Sequence, residues 1–427
     1  MAVIRGFCGV RYDTPRLSPD DVTAPPYDVI SPSERDAFIA RHENNVVRLI
    51  LGKEQPGDAP GSDKYSRARG YLDAWLSSGA LVSDDTPCYY LLKQEYRDRF
   101  GRERSTMGFI GELELSRFGE GIVFPHEKTL AKPKADRFNL MSATQANLSQ
   151  IFLLYRDNER SIVDMLNGAV QGAAPLFTFT DSFSVTNTFW KTPASQLPSL
   201  ARAFVDKQVY IADGHHRYET SVRYRDTMRE QGAPIGGKQD FAMVYLTDAD
   251  DDALSIYPTH RLVNGIAAEK MNALPEALKK LFDVHTVARD GVFERMAGKP
   301  HAFGLFTGGN NVLLITLKSG VDLAKEIPDT LPAVRILDVS VLHVLILDRL
   351  LGIDRTRLEE QTNLTYTRDD DKAFAAVEHG EAQAAFLLNP TPLDSVLTVA
   401  DSSGFMPQKS TYFVPKLPSG LVFRLMR

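Results

Sequence analysis

The sequence predicts a mixed α/β protein of two domains, and three observations lead there. Short apolar strands and amphipathic helices follow one another along the whole chain. One strand, residues 209–212, breaks at Asp213-Gly214 and turns directly into a helix. Near residue 265 the character changes to a fresh alternation of helices and strands, so that 1–264 and 265–427 read as separate domains. A chain of 427 residues has room for both. Hydrophobic residues make up 43% and charged residues 24%, the balance of an ordinary globular protein. The formal net charge of -6 argues against a nucleic-acid surface. Cys8 and Cys88 are the only cysteines, which excludes a disulfide framework and a cysteine zinc cluster and suits a reducing cytoplasm. Residues 1–12 carry no apolar run of the signal-peptide kind. The most apolar later run, 339–351, is interrupted by Ser340, His343, Asp348 and Arg349, so no membrane span is expected.

The chain opens with a short apolar strand and a loop carrying Pro15 and Pro19. Pro25-Pro26 then fixes an extended approach to Tyr27 and Asp28. Ser31, Pro32 and Glu34 read as the N-cap, first-turn proline and early acid of a helix running to about Arg41. Tyr27 and Asp28, on the rigid stretch ahead of that helix, either line a substrate site or anchor the turn. Residues 44–51 read as a strand and 52–63 as a loop. Residues 64–78 form an amphipathic helix ended by Gly79. Residues 89–96 and 104–115 alternate as a hairpin around 98–101.

The strand end at Val123-Phe124 leads through Pro125 into His126, Glu127, Lys128 and Thr129, four polar residues able to bind ligands or move protons. Lys128 can neutralise phosphate, Glu127 can serve as base or metal ligand, and His126 suits either role. Lys132, Lys134 and Arg137 add positive charge. The alternative is a solvated charged loop. Residues 137–144 read as helix and 151–155 as a strongly apolar strand. Residues 157–208 read as helix, strands and a helix around 197–203, with Phe189, Trp190 and Lys191 as packing residues.

The organising stretch follows: Asp213, Gly214, His215, His216 and Arg217 at a strand-to-helix elbow. Glycine there permits positive φ. A helix N-terminus offers free N–H groups and the positive end of a dipole, which suits a phosphate, and Arg217 adds a forked, permanently charged donor. Asp213 can hold a metal ion or take a proton from a hydroxyl; the alternative is that it caps the helix while the histidines pack on its first turn. Tyr218 and Val222 fall on the buried stripe, and Arg223, Arg225, Asp226 and Arg229 on the solvent side.

After this helix come a Gly/Pro turn at 232–237, a strand at 241–246 and an acidic stretch at 247–252. That stretch lacks the glycine and terminal glutamate of an EF-hand, so it reads as a solvated turn. A strand at 253–257 leads into Pro258, Thr259, His260 and Arg261, a second His-Arg pair at a strand end. Farther on, 267–282 and 292–296 read as helices and 302–306 and 311–317 as paired strands around Gly308-Gly309. Residues 339–351 read as a buried helix ended by Gly352, 372–379 as a helix, 384–388 as a strand and 391–400 as a helix. Lys409, Ser410 and Thr411 either return to the site or form a surface loop.

Six segments, 24–34 (APPYDVISPSE), 125–130 (PHEKTL), 211–220 (IADGHHRYET), 258–262 (PTHRL), 386–392 (FLLNPTP) and 409–417 (KSTYFVPKL), resemble the bacterial and archaeal family called domain of unknown function 1015, in the same order and over nearly the whole chain. A strand followed by DGHHR is also similar to the signature of the ParB/sulfiredoxin superfamily, which includes ParB proteins, sulfiredoxin and free-serine kinases. That resemblance implies a ParB/sulfiredoxin-like core, with the N-terminal strands and helix packed on it and a separate C-terminal α/β domain. It places nucleotide phosphates on Asp213, Gly214, His215, His216 and Arg217, with the segment Thr259 to Arg261 facing them. No basic helix-turn-helix follows the motif and no cysteine lies beside it, which sets aside DNA partitioning and sulfiredoxin chemistry. What the resemblance implies is a nucleotide-dependent phosphotransferase that uses ATP or ADP with Mg²⁺ on a small hydroxyl compound such as free serine. Asp213, His215, His216 and Glu127 would then be catalytic, with Asp213 and Glu127 holding the metal. Gly214, Arg217, His126, Lys128, Thr129, Thr259, His260 and Arg261 would hold phosphate, and Tyr27, Asp28, Lys409, Ser410 and Thr411 the acceptor. A nucleotide-binding regulator without turnover and a metal-dependent phosphatase are the alternatives, and a homodimer stays open.

Overall fold

The computed structural model describes residues 1–129, 131–354, 357 and 362–427, with residues 131 and 132 described by their backbone alone. Leu130 and the side chain of Lys132 therefore lie outside the description. The fold is a mixed α+β one with several sheets, and the chain divides into two compact units. The first comprises residues 1–125, 129–255 and 415–427; the second comprises 126–128 and 256–414. The sequence suggested a single boundary at 264/265. In the structure the main boundary falls at 255/256, and two further stretches change sides, because composition along the chain does not register where a segment makes its contacts.

Nine strands of the first unit form one sheet among the described residues. Across it they run Val123–Phe124, Val209–Asp213, Ile151–Tyr155, Phe241–Asp248, Glu103–Glu114, Cys88–Arg97, Thr186–Pro193 and Phe177–Thr180, with Ile4–Arg5 paired to Glu103–Glu114. Period-two alternation sets the core. Val209 and Ile211 join Ile151, Leu153, Ala242, Val244 and Leu246 in one apolar cluster, and Tyr218 of the helix His215–Glu230 packs into it. Tyr218 stacks on Phe118 with centroids 5.3 Å apart, and its hydroxyl donates to the Ser116 carbonyl at 2.8 Å. A second cluster gathers Phe38, Val47, Leu49, Leu72, Trp75, Leu148 and Phe423.

The predicted capping of Pro32–Arg41 holds: Ser31 and Glu34 form a reciprocal capping box. The helix Lys64–Ser77 is capped the same way by Asp63. The strand expected at 44–51 is instead a helical turn, Val47–Ile50. Its run of branched residues looks extended, but the buried Asn45 side chain accepts from Val47 N–H and donates to the Asp21 and Thr23 carbonyls, which starts a turn. Arg225, expected in solvent, is buried and donates to the Leu115 carbonyl at 2.6 Å. The acidic stretch is also not wholly solvated: Thr247 and Asp248 end the strand Phe241–Asp248 and are buried, and burial raises the Asp248 carboxyl above the usual aspartate range.

The second unit holds a six-stranded sheet among the described residues, in the order Phe282–Ala288, Asn311–Leu317, Ala302–Phe306, Ala384–Leu387, His260–Val263 and Leu364–Thr367. Every pairing in it is antiparallel. Phe306, Leu314, Ala385 and Leu387 pack with Val292, Met296, Ala373 and Phe374 from the helices Val292–Met296 and Asp370–Glu378. The helix expected over 267–282 stops at Leu278, and Phe282 begins a strand that apolar periodicity did not reveal. The buried run near 339–351 starts as the helix Asp338–Val341 and widens to π-type turns over Leu342–Asp348. Among the described residues no helix is long and apolar enough to cross a membrane.

Candidate functional site

The elbow is built as the sequence suggests, with one difference. The strand Val209–Asp213 lies between a parallel and an antiparallel neighbour, and its register shifts between Ile211 and Asp213. This irregularity marks where the strand gives out. Gly214 follows at φ +95°, and the sixteen-residue helix His215–Glu230 begins at once. Gly214 itself occupies the N-cap position, so Asp213 is not the cap. Its carboxylate turns to Arg217 instead: Arg217 Nη2 donates to Asp213 Oδ2 at 2.8 Å. Arg217 Nη1 donates to the Gln150 carbonyl. A methyl group on Gly214 would sit 2.8 Å from Arg217 Nε, so the glycine serves both the turn and the close seat of the guanidinium. His215 is buried and His216 half-buried on the first turn.

A third charged group joins them. Lys416 Nζ lies 3.6 Å from Asp213 Oδ1, with its side chain 7% exposed. One turn along the helix, Glu219 is held by Thr129, whose hydroxyl donates at 2.8 Å, and by Lys134 Nζ at 2.8 Å. Thr129 thus reaches the elbow's own helix. Tyr27, half-buried in the turn Tyr27–Val29, has Arg137 stacked 4.0 Å above its ring. Burial, with the Asp28 charge adding to it, pushes the Tyr27 hydroxyl up to about 12, while Arg137 and Arg217 pull the other way. Asp28 itself is exposed. Tyr27, Arg137, Arg217, Thr220 and Ser221 share a cavity of about 50 Å³, room for ordered water. Two buried polar atoms around Arg217, Gln150 Oε1 and Thr220 Oγ1, have no hydrogen-bond partner among the described residues.

The other expected site residues belong to the second unit. His126 is buried, with Nε2 3.0 Å from the Thr411 hydroxyl and its ring against Phe413. Glu127 pairs by its backbone with Met406, and exposed Lys128 lies near the Phe405 ring. Thr259, His260 and Arg261 are buried, because His260–Val263 is a strand with neighbours on both sides rather than the loop after a strand. Leu388 N–H donates to His260 Nδ1 at 3.1 Å, so the proton sits on Nε2, which donates to Asp370 Oδ1 at 2.8 Å. Arg261 donates to the carbonyls of Thr259 and Lys409, and its Nε has no hydrogen-bond partner among the described residues. Full burial lowers the guanidinium to about 10. Burial, reinforced by the Arg261 charge, pushes His343 down to about 3. Lys409 thus takes part through its carbonyl, and Ser410 accepts through its own carbonyl from the Thr391 hydroxyl at 3.0 Å. Among the described residues no three His, Cys, Asp or Glu side chains are grouped to hold a metal ion.

Sequence reasoning passed over Gln150, which supplies a carbonyl, and Lys416. Lys416 stands in the resembling segment at 409–417, where no local spacing ties it to Asp213.

A glycine-hinged elbow with a caged Asp–Arg pair, set on a mixed α+β scaffold, defines the class of site. Residues 4–340 match the protein family of unknown function DUF1015, and the chain belongs to it. Similar solved structures include a conserved hypothetical protein from Pyrococcus furiosus, at 16% identity and TM-score 0.36, over 71% of this chain and 92% of that one. A free serine kinase in complex with AMP is similar at 16% identity and TM-score 0.36, over 70% and 88%. A C-terminally truncated SbnI from Staphylococcus aureus is similar at 9% identity and TM-score 0.34, over 71% and 84%. No curated protein matches the chain.

Proposed function

We propose that the first unit is a nucleotide-dependent phosphotransferase acting on a small hydroxyl compound, free serine being the first to try. The observation that carries this reading is the elbow: Gly214 opens a long helix whose N-terminal N–H groups can meet phosphate, and Arg217 is held beside them by Asp213 at 2.8 Å. Arg217 and the helix N-terminus bind phosphate oxygens. His215 and His216 stand on the first turn as donors. Asp213 is the one carboxylate at the turn itself and orients the acceptor hydroxyl or takes its proton. Magnesium fits this donor set when it arrives with the nucleotide, because Mg²⁺ commonly takes one or two protein carboxylates together with phosphates and water. Asp213 would supply the carboxylate, and the ion would neutralise phosphate charge.

A regulator that binds nucleotide without turnover is the second reading. It is favoured by the tight pairing of Asp213 with Arg217, which leaves the elbow well organised before any ligand arrives. Purified protein incubated with ATP or ADP, Mg²⁺ and a panel of hydroxy amino acids and polyols decides between them. A phosphorylated acceptor is expected. Nucleotide binding with every acceptor inert supports the regulator, and absence of both product and binding overturns the two readings together.

A further inference from the structure

We infer that the cavity beside Tyr27 and Arg137 binds the base of the nucleotide whose phosphates meet Arg217. The inference rests on the phosphotransferase reading for the phosphate end and adds a site for the other end. The cavity lies wholly in the first unit.

Its position comes first. A cavity of about 280 Å³ is walled by the turn Val47–Ile50 and the helices Lys64–Ser77 and Ala131–Thr144. Tyr27, Ile50, Arg137 and Leu140 line it, and the same four residues line the cavity of about 50 Å³ that reaches Arg217 and Thr220. The narrow cavity thus leads to the guanidinium and the wide one to water, since Lys64 and Asp136 keep 22% and 26% of their side-chain exposure. A volume of about 280 Å³ is at the low end for a whole ligand, which suits one ring system rather than an entire nucleotide.

The walls are apolar, with their charges already matched. Leu49, Leu51, Leu140, Pro133 and the Tyr65 ring supply the apolar lining. The ionic groups there answer one another. Lys64 Nζ lies 2.9 Å from Asp136 Oδ1, and Arg137 Nε donates to Asp136 Oδ2 at 2.9 Å. Lys64 also meets Glu54 at 3.2 Å. Two cations set against two acids suit a neutral ligand group, whereas the elbow suits an anionic one. A neutral flat body with an anionic end is the make-up of a nucleotide.

The polar groups are flat and held. Arg137 Nη1 donates to the Ile50 carbonyl at 2.8 Å, which with Asp136 fixes the guanidinium 4.0 Å above the Tyr27 ring. The Tyr65 hydroxyl is tied to Asp136 Oδ1 at 2.8 Å. Fixed aromatic and guanidinium planes are the surfaces on which bases stack. On the narrow side, Thr220 is 1% exposed and its hydroxyl has no hydrogen-bond partner among the described residues. A buried hydroxyl left in this way is costly unless something outside the chain answers it. A sugar hydroxyl between base and phosphate would do so. Tyr27 is then a base contact rather than an acceptor contact.

Calorimetric titration with ADP, GDP, UDP, adenosine and inorganic pyrophosphate tests this on wild type, Tyr65→Ala, and Phe100→Ala as a control whose ring is exposed. Wild type should bind at least one nucleoside diphosphate about tenfold or more tighter than pyrophosphate. Tyr65→Ala should lose most of that margin with pyrophosphate affinity unchanged, and Phe100→Ala should bind like wild type. If the margin is absent in wild type, or survives in folded Tyr65→Ala, the inference is overturned and the phosphotransferase reading stands. If wild type binds adenosine but not pyrophosphate, and Tyr65→Ala loses the adenosine, the base site stands and the elbow fails as a phosphate site. No binding of any probe by wild type overturns both. Should Tyr65→Ala not fold, Gly52→Leu takes its place. Gly52 lines the same cavity, and a Cβ there meets nothing nearer than Lys64 Cβ at 3.5 Å, so a larger side chain narrows the space without a clash at the backbone. If neither folds, a structure of the wild type with its best-bound diphosphate decides, and a base outside this cavity overturns the inference.

Discussion

Two stretches of this chain carry histidine followed by arginine, and their structures differ completely. At Asp213 to Arg217 the strand ends, glycine takes φ +95°, and a helix begins. The charged side chains there keep partial exposure, 13% for Arg217 and 22% for Asp213, and they answer one another. At Thr259 to Arg261 no glycine intervenes, and the backbone continues as His260–Val263 between two antiparallel neighbours. Its side chains go to the faces of a buried sheet. Among the described residues no carboxylate pairs with Arg261; two backbone carbonyls answer it, and Tyr366 lies 5.3 Å away. The difference teaches that a His-Arg pair offers donors to a ligand where the backbone leaves the strand, whereas within a strand the same residues become internal struts.

The sharpest test of that contrast is Asp213→Asn. The mutant should bind nucleotide within a few fold of wild type yet lose turnover altogether, by calorimetry and product assay. An active mutant would remove Asp213 from the mechanism and leave the elbow as a phosphate cradle. Since Gly214 holds the N-cap position, loss of a cap is no competing explanation.

The next largest effect belongs to the strut. Arg261→Ala strips donors from the Thr259 and Lys409 carbonyls and leaves a void, costing about 3 kcal/mol or more in urea unfolding. A loss below about 1 kcal/mol would break the contrast.

Acid should find His343 beside it. The folded-state value of about 3 lies below the unfolded value near 6.5, so the unfolded chain takes up the proton first. Stability is complete above about pH 6.5 and is lost as pH falls toward 3. At pH 5 the loss is about 2 kcal/mol. His343→Leu should flatten that stretch of the stability profile between pH 7 and 5; an unaltered slope would place the titration elsewhere.

The smallest effect is expected from Arg217→Lys. Lysine cannot reproduce two forked bonds, so nucleotide affinity should fall about tenfold, roughly 1.4 kcal/mol, with little change in melting temperature. Wild-type affinity in this variant would place phosphate recognition away from the guanidinium.

Much of this was legible in the residues. Ser31-Pro32 with Glu34, the hairpin around 98–101, and the strand–glycine–helix elbow are local events, set by capping geometry, turn chemistry and the steric freedom of glycine, and the structure contains each of them. Local preference also misled where a side chain reached elsewhere. Asn45 turned an apparently extended run into a helical turn by bonding to Asp21 and Thr23. Phe282–Ala288 became a strand because Asn311–Leu317 lies beside it, not because of its own alternation.

By itself, then, the sequence determined the elements whose cause lies within a few residues, and the elbow above all, because only glycine meets the backbone demand at 214 without strain. Tertiary structure alone decided which polar residues became struts, and it brought Lys416, Gln150 and Tyr27 to the surroundings of Arg217 from positions far apart in the chain. Burial and ion pairing depend on what lies across space from a side chain, and no spacing along the chain encodes that.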